Sequence, residues 1–400
     1  MTTVANAKMS PDVTISDDFY WSPDTTTHGY QICTSCVMDT TDPEISFDES
    51  GQCSHCAKKK RNLKNLSERQ ASGELNLDEL FATVKKAGKG RKYDAILGVS
   101  GGVDSSYLAY MMKENGIRPL AVHLDNGWDS ELAVKNIQQI VQLLDIDLYT
   151  HVIDWEEFRD LQLSFVKASV IDIELLTDLA IYAVLYQQAI KHGVKYLIMG
   201  FNHATEGNMP RAWTHSKFDA VNLKAIHRKH GTVPIKSFPI AGNLTLECYY
   251  RRIRRIRHAY PLNYMQYDKQ AAMDQLQNTL GWRPYRAKHY ESSFTEFYQG
   301  YILPRKFGVD KRRPHLSALI SAGKLSRDEA VLELQKPLFA ASQLRQQYEF
   351  VLRKWGLSMS QFEDYLNSPP VPHSKYKTDK KRVELFRAIQ SVYRRVVRAA

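Results

Sequence analysis

The chain has 400 residues, 43% hydrophobic and 24% charged, an ordinary balance for a folded globular protein with room for two or three domains. No apolar run approaches the about 20 residues of a membrane helix, and Met1–Ser10 lacks the basic and apolar regions of a secretory leader, so a cytoplasmic chain is expected. A formal net charge of +10 favours anionic partners such as nucleotides, sugar nucleotides, nucleic acid or acidic lipid, without choosing among them.

Residues 1–29 are polar, rich in Thr and Asp and without periodicity, and read as a tail. Two C-x2-C knuckles follow, Cys33-Thr34-Ser35-Cys36 and Cys53-Ser54-His55-Cys56, sixteen residues apart. This is zinc-ribbon spacing, and in a cytosolic chain thiols point to metal before disulfides. Cys33, Cys36, Cys53 and Cys56 would close a tetrahedron and leave no open position, so a structural Zn²⁺ is expected over residues 30–66. A redox dithiol pair or an iron–sulfur cluster are the competing readings, and His55 could replace one Cys.

Lys58–Leu80 reads as a helical connector into a larger unit over 67–300. There strands alternate with helices: Tyr93–Val99, a helix from Ser105 to about Asn115, Leu120–Leu124, a helix Ser130–Leu144, Asp147–Ile153, a long helical stretch to about Lys191, and Tyr196–Gly200. That alternation predicts an α/β fold, a parallel sheet with helices on both faces, which binds ligands at the carboxyl ends of its strands. Polar clusters fall at those ends: Ser100–Ser106, His123-Leu124-Asp125-Asn126, and Gly200 through Gly207 with Asn202 and Glu206. Residues 301–400 read as helical. Basic residues gather in Arg251–His258 and Lys380–Arg398, either as solvated helix faces or as anion contacts.

Ser100-Gly101-Gly102-Val103-Asp104-Ser105-Ser106 carries the most information. A buried strand that enters a helix through a Ser/Gly turn presents free N–H groups to an anion. It is not a Walker A loop, because no Lys follows the glycines. It resembles the PP-loop, S-G-G-x-D-S-S, of the ATP pyrophosphatases, which split ATP to AMP and pyrophosphate to adenylate a substrate oxygen. Together with the four-Cys ribbon, Lys288-His289-Tyr290-Glu291-Ser292-Ser293 and Lys306-Phe307-Gly308-Val309-Asp310-Lys311-Arg312-Arg313, it makes residues 30–390 resemble the N-acetyl sugar amidotransferase family of lipopolysaccharide and flagellar-sugar biosynthesis.

The resemblance implies ATP and Mg²⁺ as cofactors beside the structural zinc, and a nucleotide-linked, UDP-type N-acetyl sugar as substrate. The sugar's acetamido oxygen would be adenylated and then displaced by ammonia to give an acetamidino group. Charge on the departing pyrophosphate calls for N–H donors, Mg²⁺ and a cationic side chain. The amides of Gly101, Gly102 and Asp104–Ser106 can supply the donors, beside Val103, and the Ser100 and Ser105 hydroxyls can reach phosphate. Asp104 would orient Mg²⁺ or cap the following helix. Lys288 and Arg312 would neutralise pyrophosphate. His123, Leu124, Asp125 and Gly200 would border the adenosine, Asn202 and Glu206 would hold metal or substrate, and Arg251–Arg257 would face the diphosphate of the sugar nucleotide or a sugar carboxylate.

Glutamine hydrolysis needs an activated Cys. Four cysteines are zinc candidates, and Cys248 has no nucleophile elbow around it. A separate glutaminase subunit is therefore expected to supply ammonia. A tRNA-thiolating enzyme is the rival reading and would use Arg251–Arg257 as a phosphate track, although nucleic acid is not the expected partner. The apolar, Tyr-rich C-terminal helices leave a homodimer open.

Overall fold

The computed structural model describes residues 15, 17–26, 29–203, 206, 209–285 and 291–399. From the cysteine segment, α1 (Ser54–Ala71) and α2 (Leu77–Gly88) lead into alternating strands and helices. These are β1 (Ala95–Gly98), α3 (Val103–Glu114), β2 (Pro119–Asp125), α4 (Glu131–Leu143), β3 (Asp147–Val152), α5 (Trp155–Ala168), α6 (Leu175–Lys191) and β4 (Tyr196–Ile198). Then come α7 (Ala220–His230), β5 (Arg257–Ala259) and α8 (Lys269–Leu280). The C-terminal part is helical throughout: α9 (Ser293–Phe297), α10 (Leu303–Phe307), α11 (Arg312–Ser321), α12 (Arg327–Gln335), α13 (Ala341–Trp355), α14 (Met359–Asn367) and α15 (Lys380–Ala399).

The five strands pair in parallel in the order β3-β2-β1-β4-β5. The order reverses at β1, which opens a crevice at the carboxyl ends of β1 and β4. Side chains alternate between two helical layers, as strand geometry requires. Ile96, Leu120, Val122, Leu124 and Leu197 pack with α5 and α6 on one face. Ala95, Leu97, Ala121 and Ile198 pack with α2, α3 and α8 on the other. The expected doubly covered parallel sheet is the observed one.

Three local expectations are corrected. The long helix before Lys191 is two helices, because Ser169 (φ 53°) and Asp172 (φ 69°) turn left-handed between α5 and α6. C-terminal groups fill the break: Tyr298 Oη accepts from the Asp172 amide at 2.8 Å, and the Val371 amide donates to the Ser169 carbonyl at 2.9 Å. The basic run contributes a strand, since Arg257–Ala259 pairs with Tyr196–Ile198. The described part of the supposed tail is held: the Phe19 amide donates to the Phe339 carbonyl at 2.7 Å, and Asp18 accepts from the Ala341 amide at 2.8 Å.

Helix α1 runs across the boundary drawn at 66/67, and a wide π-type turn, Tyr298–Ile302, spans that at 300/301. Cysteine segment, sheet and C-terminal helices share one apolar cluster that includes Cys36, Leu197, Phe297, Tyr348 and Trp355. Among the described residues no helix is long and apolar enough to cross a membrane.

Candidate active site

The Ser/Gly loop leaves β1 and enters α3 with Gly102 as N-cap. It is braced from within. Ser105 and Ser106 hydroxyls donate to the Gly102 carbonyl at 3.1 and 2.8 Å, and the Ser100 amide donates to Ser105 Oγ at 3.3 Å. Gly101 sits at φ 79°, where a Cβ would lie 2.7 Å from the Ala133 carbonyl oxygen. Its own carbonyl accepts from Trp282 Nε1 at 2.9 Å and Tyr285 Oη at 3.1 Å. With this carbonyl turned outward and held, the loop keeps its N–H face for an anion. No side chain caps α3, so Asp104 does not take the capping role; its carboxylate accepts from the Tyr267 hydroxyl.

Ser100, Gly102, Val103, Asp104 and Ser105 line a cavity of about 820 Å³ at the carboxyl edge of the sheet. Gly101 and Ser106 stand behind the lining. His123, Leu124, Gly200 and Glu206 also line it, whereas Asp125 and Asn202 do not. Asp125 Oδ1 accepts from the Gly127 amide at 2.8 Å and shapes the turn after β2. Asn202 is fully buried, and its carbonyl accepts from the Glu206 amide at 3.2 Å. At Gly200 a Cβ would stand 3.2 Å from that of Asp104, so the end of β4 approaches the loop as only glycine allows without displacement.

His123 bridges the Val99 carbonyl (3.1 Å) and the Asp129 carboxylate (3.1 Å). Burial disfavours its charged form, but the Asp129 hydrogen bond and charge, with the Val99 carbonyl, outweigh burial and raise its pKa.

Lys288 lies outside the described residues. Arg312 is corrected: its guanidinium holds Asp310 at 2.8 Å and the carbonyls of Glu333, Leu334 and Lys336, and it lines not this cavity but the one adjoining it. Its neighbour Lys311 does line this cavity. The run Arg251–Arg257 is also corrected. Arg257 opens β5 at the amino edge of the sheet, and none of the run lines the cavity. Cys248 is half-buried and likewise outside the lining.

The wall formed by α6 and the C-terminal part was not read from the sequence. Lys217 Nζ sits between Asp172 (2.7 Å) and Asp178 (2.9 Å), and Lys311 Nζ pairs with Glu174 at 2.7 Å, where Gln299 also donates at 2.9 Å. Burial opposes ionisation of Glu174, yet the Lys311 and Lys217 charges win and hold it at about 2. The same burial, with Glu174 and Asp172 adding to it, leaves Asp178 above the ordinary carboxylate value. The available signal was two acids at i,i+4, Glu174 and Asp178, in an otherwise apolar helix. A second cavity of about 740 Å³, walled by leucines of α11 and α12, shares Glu206, Met209, Thr295, Gln299 and Lys311 with the first.

The four cysteines converge, their sulfurs all within 4.8 Å of one another. Cys33–Cys56 and Cys36–Cys53 are 3.8 and 3.7 Å apart. Zn–S bonds of about 2.3 Å give tetrahedron edges of about 3.8 Å, so the thiols fit Zn²⁺. Amides of Ser35, Met38 and Cys53 donate to sulfur, as thiolates require. Hydrogen bonds from Cys53 and Cys56 pull Cys36 down to about 2. His55 pairs with Asp42 at 2.7 Å and is no part of the cluster.

The cluster is tied to the rest of the fold. Arg313 reaches the Val37 carbonyl (2.8 Å) and Asp39 (2.9 Å), and Arg327 donates to the Cys33 carbonyl at 3.1 Å. Buried Lys59 of α1 donates to the carbonyls of His203 and Glu206, at 2.8 Å for the latter, in the loop that walls the cavity.

The parallel sheet with its S-G-G-V-D-S-S crevice, the four-thiol segment and the helical C-terminal part define an α/β protein with a Ser/Gly loop lining a cavity at the carboxyl edge of its sheet. Residues 291–390 match the family model described as "LPS biosynthesis protein WbpG-like, C-terminal domain". Over that segment the resemblance to a lipopolysaccharide-biosynthesis family is borne out. No curated protein sequence matches the chain. Among solved structures, an NMN synthetase from Francisella tularensis is similar over 35% of this chain and 55% of its own, at 18% identity and a TM-score of 0.26. The chain thus spans about half the length of that relative.

Proposed function

We propose that the chain is an ATP-dependent amidotransferase of lipopolysaccharide or related surface-glycan biosynthesis, acting on a nucleotide-linked N-acetyl sugar. One observation carries the reading. The PP-loop and the start of the matched C-terminal segment enclose the same cavity, because Ser130 donates to the Glu291 carbonyl at 2.8 Å and Ser293 to the Trp128 carbonyl at 2.9 Å. Two adjoining cavities of about 820 and 740 Å³ give room for ATP and a second large ligand.

In this reading the loop amides and Ser100 bind the pyrophosphate portion of ATP. Asp104, Asp129 and Glu291 are the carboxylates beside the loop that would hold Mg²⁺, whose charge would screen the departing pyrophosphate. The acetamido oxygen attacks the α-phosphorus and pyrophosphate leaves with the electron pair of the broken P–O bond. The oxygen, a poor leaving group in an amide, now departs as AMP when ammonia adds to the same carbon. Lys311 supplies cationic charge on the far wall. Ammonia would come from a separate glutaminase. The rival thiolase reading draws no support from Cys248 or the basic run, both off the cavity.

The test is pyrophosphate release from Mg-ATP with ammonium chloride, comparing UDP-linked N-acetyl sugars with bulk tRNA. Release dependent on one sugar nucleotide, with product mass showing oxygen replaced by NH, is the expected result. Release dependent on tRNA alone would overturn it.

A further inference from the structure

The reaction proposed above, on which this inference rests, changes the charge of its substrate. The acetamido group and ammonia are neutral, but their adduct on the activated carbon is a cation, and so is the amidinium product. A site that favours the second step should therefore bind positive charge at the reacting carbon more strongly than it binds the neutral reactants.

The cavity has two chemically opposite walls. The PP-loop wall presents N–H groups and suits the phosphates. At the start of α6, Glu174 and Asp178 line the cavity with Lys217 and Lys311, and buried Asp172 behind them shares Lys217, so three carboxylates face two ammonium groups and one negative charge is in excess. The pairing shows where that excess lies. Asp172 takes Lys217 at 2.7 Å and Glu174 takes Lys311 at 2.7 Å. Asp178 shares Lys217 through Oδ2 only, at 2.9 Å, and its Oδ1 has no hydrogen-bond partner among the described residues. Its side chain is 41% accessible and lines the cavity.

We infer that Asp178 is the proton acceptor of the amination step. The amide nitrogen keeps its proton on adenylation, so the activated group is an imidatium, C=NH⁺. The lone pair of ammonia forms the new C–N bond, and the π pair of C=NH⁺ moves onto its nitrogen. A proton of the resulting –NH₃⁺ passes to Asp178 Oδ1. The C–O bond to AMP breaks, its pair leaves with the phosphate, and a nitrogen lone pair closes the amidinium. Asp178 then gives its proton to solvent. The protein packed around the half-exposed Asp178 and the negative charges of Glu174 and Asp172 raise its proton affinity, which suits it to hold a proton transiently.

The experiment uses the full chain with the UDP-linked sugar that supports pyrophosphate release in the wild type and ammonium chloride as donor. Both pyrophosphate and acetamidino product are quantified in single and multiple turnovers. Asp178→Asn is expected to keep first-turnover pyrophosphate release within about threefold while amidine formation falls at least about 100-fold, the usual scale for loss of a positioned base. Pyrophosphate per amidine then rises, because the adenylated sugar hydrolyses back to the acetamide. Equal effects on both, or no effect on either, would overturn the role of Asp178.

Asp178→Glu, which keeps the carboxylate and the Lys217 pair, is expected to restore part of the coupling; a ratio as high as that of Asp178→Asn would overturn the inference. Acetamidine, a bare amidinium probe, should inhibit amination by the wild type competitively with ammonium and not affect first-turnover pyrophosphate release. A wild type with no sugar-dependent pyrophosphate release at all would instead defeat the reading of the whole enzyme.

Discussion

The indole N–H of Trp282 donates to the carbonyl oxygen of Gly101 at 2.9 Å, so a residue after α8 sets the conformation of the PP-loop. Leaving a buried carbonyl short of a donor costs about 1–3 kcal/mol. Trp282→Phe is therefore expected to weaken ATP binding about tenfold by calorimetry, the equivalent of about 1.4 kcal/mol, and to lower the melting temperature, since the Tyr285 hydroxyl is then the carbonyl's remaining donor. Gly101→Ala must force a Cβ toward the Ala133 carbonyl at a positive φ and should abolish ATP binding altogether. Full ATP affinity in both variants would remove the loop from the nucleotide site.

His123 binds its proton more tightly when folded than its ordinary value of 6.5, chiefly because the Asp129 contacts overcome burial. The sign follows from linkage. This contribution to stability is fully present below about pH 6.5 and is lost as pH rises through the raised folded value. Asp129→Asn should therefore destabilise the chain more at pH 6 than at pH 9 in urea titrations. An equal loss at both pH values would show that the pair contributes nothing through protonation.

Lys59 joins α1 to the loop after β4 through the carbonyls of His203 and Glu206. Lys59→Met keeps the aliphatic stem and strips both carbonyls of their donor. A loss of about 1–3 kcal/mol in unfolding free energy is expected, together with weaker ATP binding, since Glu206 lines the cavity. A melting temperature unchanged within error would count against the tie.

Lys311 and Arg254 make a contrast within one charge class. Lys311→Met leaves Glu174 without its 2.7 Å partner in a buried wall, where removing one partner of an ion pair costs about 3–5 kcal/mol. Activity should fall at least about 100-fold, and the melting temperature should fall with it. Arg254→Glu, outside the cavity lining, should leave substrate KM within about twofold, a change worth about 0.4 kcal/mol. A large rise in substrate KM for Arg254→Glu would return the basic run to the site.

Metal analysis should give one zinc per chain, lost in Cys36→Ser. Binding free energies of structural zinc are about 10–16 kcal/mol in isolated fingers, so chelation should lower the melting temperature sharply. Iron together with visible absorbance would replace the zinc assignment by a cluster.

The two motifs legible in the sequence are local ones. C-x2-C knuckles and S-G-G-x-D-S-S specify their own backbone, and so their geometry travels with the spacing. The α6 wall does not. Glu174 and Asp178 acquire their meaning from Lys217 and Lys311, far away in sequence. Lys311 and Arg312 differ by one position at the start of α11, yet the first lines the loop cavity and the second turns to Asp310 and the carbonyls at the end of α12. Periodicity cannot separate neighbours on a helix end that no amphipathic pattern orients. Three-residue β5 was invisible for a related reason: Arg257-His258-Ala259 has no strand character except by pairing with β4.

The tie through Lys59 has a reciprocal side. If metal at the four thiols holds α1, and α1 holds the loop that meets the nucleotide, the two sites share a coupling free energy. Thermodynamic linkage makes that coupling symmetric. Whatever factor zinc contributes to ATP affinity, ATP must return to zinc affinity. The chain would then hold its metal against a chelator more tightly at equilibrium with ATP bound than without it.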